Sequence, residues 1–133
     1  MMSEISDLMS TKLMTVTKKT SLVDAIDIIV KYNITGIPVV DKKNRIVGII
    51  SEKDMLCLSF RLQNQEYSST DSSLTVGDIM TTDVVTYDKD DKLADVCKCL
   101  MTSSFRRVPI TSNGILVGLI SRKDLLKLSA IPV

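Results

Sequence analysis

Two Ser-x-x-Asp quartets are the residues in this chain most open to a chemical reading: Ser51-Glu52-Lys53-Asp54 and Ser121-Arg122-Lys123-Asp124. Each follows a short apolar run, Val47 to Ile50 or Val117 to Ile120, and so stands where a strand gives way to a helix. Two chemistries fit that position. A serine at the N-cap with an acid three residues on is a capping box, each side chain satisfying an amide of the first turn. The same place can also hold a ligand. Free N–H groups and the positive end of the helix dipole suit a phosphate. The serine hydroxyl adds a donor, and the carboxylate can accept both hydroxyls of a ribose. Lys53, Arg122 and Lys123 are cations at the helix end where the dipole disfavours them, and a bound anion would offset that cost. Arg122 replaces Glu52, which makes the second motif the better phosphate site. Arg106-Arg107 replaces Thr35-Gly36 just before Val108-Pro109. A guanidinium there either reaches a phosphate held in the groove or faces solvent or an interface.

The motifs are positioned by an internal repeat. Asp7-Leu8-Met9-Ser10 returns as Asp78-Ile79-Met80-Thr81, and Ile37-Pro38-Val39 as Val108-Pro109-Ile110, both at an offset of 71. The Val-Gly-x-Ile-Ser-x-Lys-Asp block returns at an offset of 70. The lost residue falls between Asp41 to Asn44 and Ser112 to Gly114, where a turn tolerates it. Leu22, Ala25, Ile26, Ile29 and Val30 have the spacing of an amphipathic helix, as do Leu93, Val96, Cys97, Leu100 and Met101. Thr20 or Ser21 is placed to cap the first helix and Asp91 the second. Short strands are predicted around Met14 to Thr17 and Val84 to Tyr87, at Ile37 to Val40 and Val108 to Ile110, and at Arg45 to Ile50 and Ile115 to Ile120. The last two read as strands buried on both faces. The predicted fold class is α/β, with two β-α-β-β-α repeats in a pseudo-twofold arrangement sharing one core. The repeats cover residues 1–62 and 76–133, and the polar, serine-rich stretch 63–75 is the linker.

Composition narrows the function. The chain has 133 residues, 44% hydrophobic and 25% charged, as a globular protein has. A net charge of +1 offers no field for nucleic acid or an anionic membrane. No apolar run approaches the roughly 20 residues of a membrane span, and no secretory signal is visible. A cytoplasmic location follows as the default for three cysteines, an odd number with no disulfide framework. There is no histidine, no GxSxG elbow and no phosphate-binding glycine loop. The chain therefore reads as a non-enzyme. Cys97 sits on the apolar stripe as core, Cys99 lies off it, and a metal or redox pair is disfavoured because alternate helical positions face apart.

Together these motifs resemble those of the cystathionine-β-synthase-type (CBS) domain, and two in tandem resemble a CBS pair, or Bateman module. The resemblance spans about residues 5 to 130. It implies two clefts that bind adenosine-containing ligands such as AMP, ADP, ATP or S-adenosylmethionine. It assigns phosphate contact to Ser51 and Ser121 and the ribose hydroxyls to Asp54 and Asp124. The base pocket would be lined by Thr15, Val16 and Ile37 in one copy and by Thr86, Tyr87 and Val108 in the other. Arg106, Arg107 and Arg122 join the second cleft. The resemblance also implies a homodimer and a regulated protein partner. The competing expectation is a structural, protein-interaction module whose Ser-x-x-Asp motifs are helix caps only.

Overall fold

A computed structural model describes residues 4–64 and 74–130, so most of the predicted linker lies outside the described residues. The first amphipathic helix, α2 (Leu22–Tyr32), begins at Ser21, whose hydroxyl accepts the Asp24 N–H at 3.1 Å. It stops at Asn33, whose φ of 52° is the left-handed conformation that ends many helices. Its counterpart α5 (Leu93–Thr102) departs from expectation. Its N-cap is Lys92, with no side-chain cap. Asp91 is instead used one turn earlier, where its carboxylate accepts the Asp88 N–H at 2.8 Å.

Both helices bury a face rotated from the predicted stripe. In α2, Leu22 and Ala25 are buried and Ile28 and Ile29 pack against the core, whereas Ile26 and Val30 are 40% and 73% exposed. In α5, Val96 and Leu100 are buried and Cys99 joins them, while Met101 is exposed. The two cysteine expectations therefore exchange places: Cys99 packs on the core and Cys97 lines an outer groove. The apolar stripe is wider than the core it serves, and its far edge is left uncovered.

Strand β1 (Gly36–Val40) pairs antiparallel with β2 (Ile46–Ser51), and β4 (Arg107–Ser112) with β5 (Ile115–Ser121). Burial in β2 and β5 alternates, so these strands are half-buried rather than buried on both faces. The turns explain the one-residue deletion. In the second hairpin Ser112 pairs with Ile115 across Asn113 and Gly114, both at positive φ, the two-residue turn that suits strand twist. The longer first turn is held by Asp41, whose carboxylate accepts the N–H groups of Lys43 and Arg45, each at 2.9 Å. The predicted leading strands shrink to a parallel bridge between Val16 and Val39 and to β3 (Tyr87–Asp88), parallel to β4. Each hairpin runs into a closing helix: α3 (Glu52–Gln63), and α6 (Arg122–Leu126) with a 3-10 turn after it. Two short helices were not anticipated, α1 (Ile5–Leu8) and α4 (Val76–Ile79). The repeated Asp7 and Asp78 complete their capping boxes, accepting the N–H groups of Glu4 and Thr75.

The chain packs as two compact units, Met14–Val84 and Met1–Leu13 with Val85–Val133. A single shared core was expected, but there are two. One gathers Val16, Leu22, Ala25, Ile37, Val39, Ile50 and Leu58 around Val76; the other gathers Val96, Leu100, Val108, Ile110 and Ile120 around Ile5 and Leu8. Each core is thus completed by the leading segment of the opposite copy. Thr81 pairs with Ile49 by two hydrogen bonds of 2.9 Å, and Ser10 with Leu119 by bonds of 2.8 and 3.0 Å. Gly48 and Gly118 permit the approach. A Cβ on Gly48 would lie 2.7 Å from Met80 Sδ and 2.9 Å from the Thr81 oxygen. On Gly118 it would lie 2.5 Å from Met9 Sδ. The repeated Met-Ser/Thr and Val-Gly elements are two halves of one contact.

Candidate functional site

Ser51 ends β2 and Asp54 lies in the first turn of α3. Ser51 donates both its N–H and its hydroxyl to Asp54 Oδ2, each at 2.9 Å, and its Oγ accepts the Asp54 N–H at 3.2 Å. The capping box is therefore formed in full, with both residues partly buried. Asp54 Oδ1 projects away from these bonds and accepts the Thr81 hydroxyl at 3.2 Å. Thr81 is the residue that the exchanged segment delivers beside Gly48. Gly36 faces Ser51 across the hairpin, so no side chain flanks the serine from that strand.

Ser121 and Asp124 repeat the box: N–H to Oδ2 at 2.8 Å, hydroxyl to Oδ2 at 3.1 Å, and Asp124 N–H to Oγ at 3.2 Å. The surroundings differ. Asp124 Oδ1 meets the ammonium of Lys127 at 3.5 Å, where the first copy has Cys57. Arg107 stands opposite Ser121, where the first copy has Gly36. Cross-strand partners point their side chains to the same face, so Arg107 and Ser121 share one face of the hairpin. Its Nε is buried with no hydrogen-bond partner among the described residues. Such an atom carries a desolvation cost until an acceptor meets it. Arg106 is exposed. Arg122, expected to face a phosphate, is committed elsewhere. Its Nε donates to the Leu100 carbonyl at 3.0 Å and Nη2 to the Ser103 carbonyl at 2.8 Å, satisfying the open end of α5.

The predicted base-pocket residues divide. Val16, Ile37 and Val108 have their side chains in the cores, so only their backbones are on offer. Thr15 is exposed and Thr86 half-buried. Tyr87 packs on its core, and a hydrogen bond to the Cys99 thiol, with burial and nearby carboxylates, pushes its phenol above the usual tyrosine range. Ser51, Asp54 and Ile37 stand in one unit with Thr15 and Val16; Ser121, Asp124, Arg106, Arg107, Val108 and Arg122 stand in the other with Thr86 and Tyr87. Sequence reasoning missed Thr81 and Lys127. Thr81 is visible as the repeat of Ser10, and Lys127 as a cation where the first copy has a thiol. Among the described residues no cluster of three or more His, Cys, Asp or Glu could hold a metal, and no helix is long and apolar enough to cross a membrane.

Comparison with known proteins agrees with this duplicated geometry. The family model described as CBS domain matches residues 5–59 and again residues 76–131. The crystal structure of CBSX2 in complex with AMP superposes with a TM-score of 0.83 at 30% identity, covering 96% of each chain. The CBS domain pair of protein MJ0100, in complex with 5′-methylthioadenosine and S-adenosyl-L-methionine, gives a TM-score of 0.77 at 25% identity over 97% of each. The chloroplastic CBS domain-containing protein CBSX1 of Arabidopsis thaliana is 32% identical over 84% of this chain. The chain spans 57% of that relative and 42% of the Methanocaldococcus jannaschii protein MJ1225, with which it shares 27% identity over 93% of its own length.

Proposed function

The chain belongs to the CBS-domain family as a tandem pair, and from that premise we propose that it is a regulatory module sensing an adenosine-containing ligand. Ser51 and Asp54 form one site and Ser121 and Asp124 the other. The observation that carries this reading is the state of the two carboxylates. Among the described residues, each Oδ2 is used by the cap, while each Oδ1 meets a displaceable partner, a hydroxyl or an exposed ammonium. A ribose can take that oxygen without dismantling the helix start. Solved relatives hold AMP in one case and 5′-methylthioadenosine with S-adenosyl-L-methionine in another. The unpartnered Arg107 Nε beside Ser121 favours phosphate in the second site. The activity is binding and a resulting change of shape or association, relayed to a regulated protein, with no catalytic step.

The association surfaces we assign are the uncovered helix edges, one on each unit. Helices α2 and α3 expose Ile26, Val30, Leu56 and Phe60, and α5 and α6 expose Met101 and Leu126 around a groove of about 460 Å³. Apolar surface of this kind marks interfaces, and a homodimer is the reading it supports; three free cysteines fit a reducing cytoplasm. Glutamate at Leu56 and Phe60 would shift the sedimentation of a dimer toward that of a monomer.

Thermal-shift titration with AMP, ADP, ATP and S-adenosylmethionine tests the ligand. A ligand at 100 times its Kd adds about 2.7 kcal/mol of stability, several degrees in Tm for a chain this size. No shift with any of the four at millimolar concentration refutes the reading. The complete capping boxes favour a second reading, a ligand-free interaction module. On that reading Asp124→Ala costs about 0.5–2 kcal/mol of stability and alters no ligand response.

A further inference from the structure

The two Ser-x-x-Asp motifs are built alike down to the cap and differ at what meets the second carboxylate oxygen. We propose that Lys127 is a specificity-determining residue that reserves the second motif for ligands carrying phosphate, while the first, which lacks a counterpart, admits uncharged nucleosides. This rests on the reading of both motifs as adenosine sites.

Asp54 Oδ1 accepts a neutral hydroxyl from Thr81. A ribose hydroxyl entering there exchanges one neutral donor for another, and the carboxylate keeps its full charge as an acceptor. Asp124 Oδ1 is paired with the Lys127 ammonium. A ribose entering there must displace a cation from its partner, at the modest cost of an exposed ion pair. A nucleoside brings no anion to replace it. A nucleotide brings phosphate oxygens, which can take the ammonium as the ribose takes the carboxylate. The lysine side chain is 65% exposed and Asp124 19%, so the ammonium is free to swing while its partner is held. Arg107, opposite Ser121 across the hairpin, adds a donor that has no partner among the described residues. The equivalent positions in the first motif are Cys57 and Gly36, neither cationic.

An exposed ion pair holds back an entering group by up to about fivefold, whereas a charge-assisted contact to phosphate contributes on the order of tenfold. The preference for ATP over adenosine is the quantity to measure. Both ligands are titrated calorimetrically into the full chain, into Lys127→Met and into Cys57→Lys. Positions 57 and 127 are exposed, and unchanged melting of the unliganded variants confirms their fold. Lys127→Met is expected to weaken the tighter ATP site about tenfold and to strengthen adenosine a few-fold. Cys57→Lys is expected to move the other site the opposite way. An unchanged ATP-to-adenosine ratio in Lys127→Met, or equal weakening of both ligands, overturns the proposal while leaving the adenosine reading intact. Failure of the unaltered chain to bind either ligand overturns the adenosine reading, and this proposal with it.

Discussion

Replacing Gly48 with alanine sets a methyl group 2.9 Å from the backbone oxygen of Thr81 and 2.7 Å from Met80 Sδ. The sulfur can swing away, because methionine has three rotatable bonds. The backbone oxygen cannot, because Thr81 is tied to Ile49 through both its N–H and its carbonyl at 2.9 Å. Overpacking of this kind costs about 1–3 kcal/mol, and the strained hydrogen bonds are worth about 1 kcal/mol each. Against this, alanine restricts the unfolded chain and returns about 0.4–1 kcal/mol. The net expectation is a loss of about 2 kcal/mol. Gly118→Ala provides the control. Its nearest contacts are Met9 Sδ and Cγ at 2.5 and 2.9 Å, with the Ser10 oxygen at 3.1 Å. A flexible side chain absorbs most of that clash, so the net loss is below about 1 kcal/mol. Urea unfolding followed by circular dichroism measures both. Met9→Ala should rescue Gly118→Ala, and Met80→Ala should leave Gly48→Ala destabilised. Equal losses at the two glycines, or full rescue by Met80→Ala, would refute the reasoning that a backbone oxygen is the obstacle at Gly48.

Arg122→Ala removes the two donors that close the end of α5 and should lower stability by about 1–2 kcal/mol in urea unfolding, with nucleotide affinity little changed. Ser21→Ala strips the hydroxyl that caps α2, and the urea midpoint should fall by an amount equivalent to about 1 kcal/mol. Asp41 has its carboxyl held below the usual carboxylate range by the Arg45 N–H, with the Arg45 guanidinium and the Lys43 N–H adding to it. A carboxyl depressed on folding contributes stability above its unfolded value and loses it as pH falls through the folded one. Asp41→Asn should therefore flatten the fall in stability below about pH 4, read as the difference in urea midpoint between neutral and acid pH.

Much of this organisation can be read directly from the residues. The hairpins, the shorter second turn and the capping boxes of the two Ser-x-x-Asp motifs follow from repeat spacing and local propensity. What escaped the sequence was tertiary. Leu22, Ala25, Ile26, Ile29 and Val30 satisfy helical spacing equally well, and only the sheet beneath decides that Ile28 turns inward and Ile26 outward. Arg122 looks like a phosphate ligand by its place in the motif. It is instead claimed by the carbonyls of Leu100 and Ser103, whose proximity no spacing rule reveals. The role of Thr81 depends on the exchange of leading segments between copies. The repeated Met-Ser/Thr and Val-Gly motifs hint at a partnership, yet they do not say that each meets its opposite number rather than its own.

That exchange also bears on how the protein can be made. The unit Met14–Val84 is one continuous stretch of chain. It has everything it needs once Val84 has left the ribosome, and domains generally fold as they emerge. The other unit joins two stretches far apart in the chain, with Ser10 waiting for Leu119. Until those later residues have been made, Ile5, Leu8 and Met9 lack the core they pack into. The second core closes only once the strand that carries Leu119 and Ile120 has been made, well after the residues of the first unit.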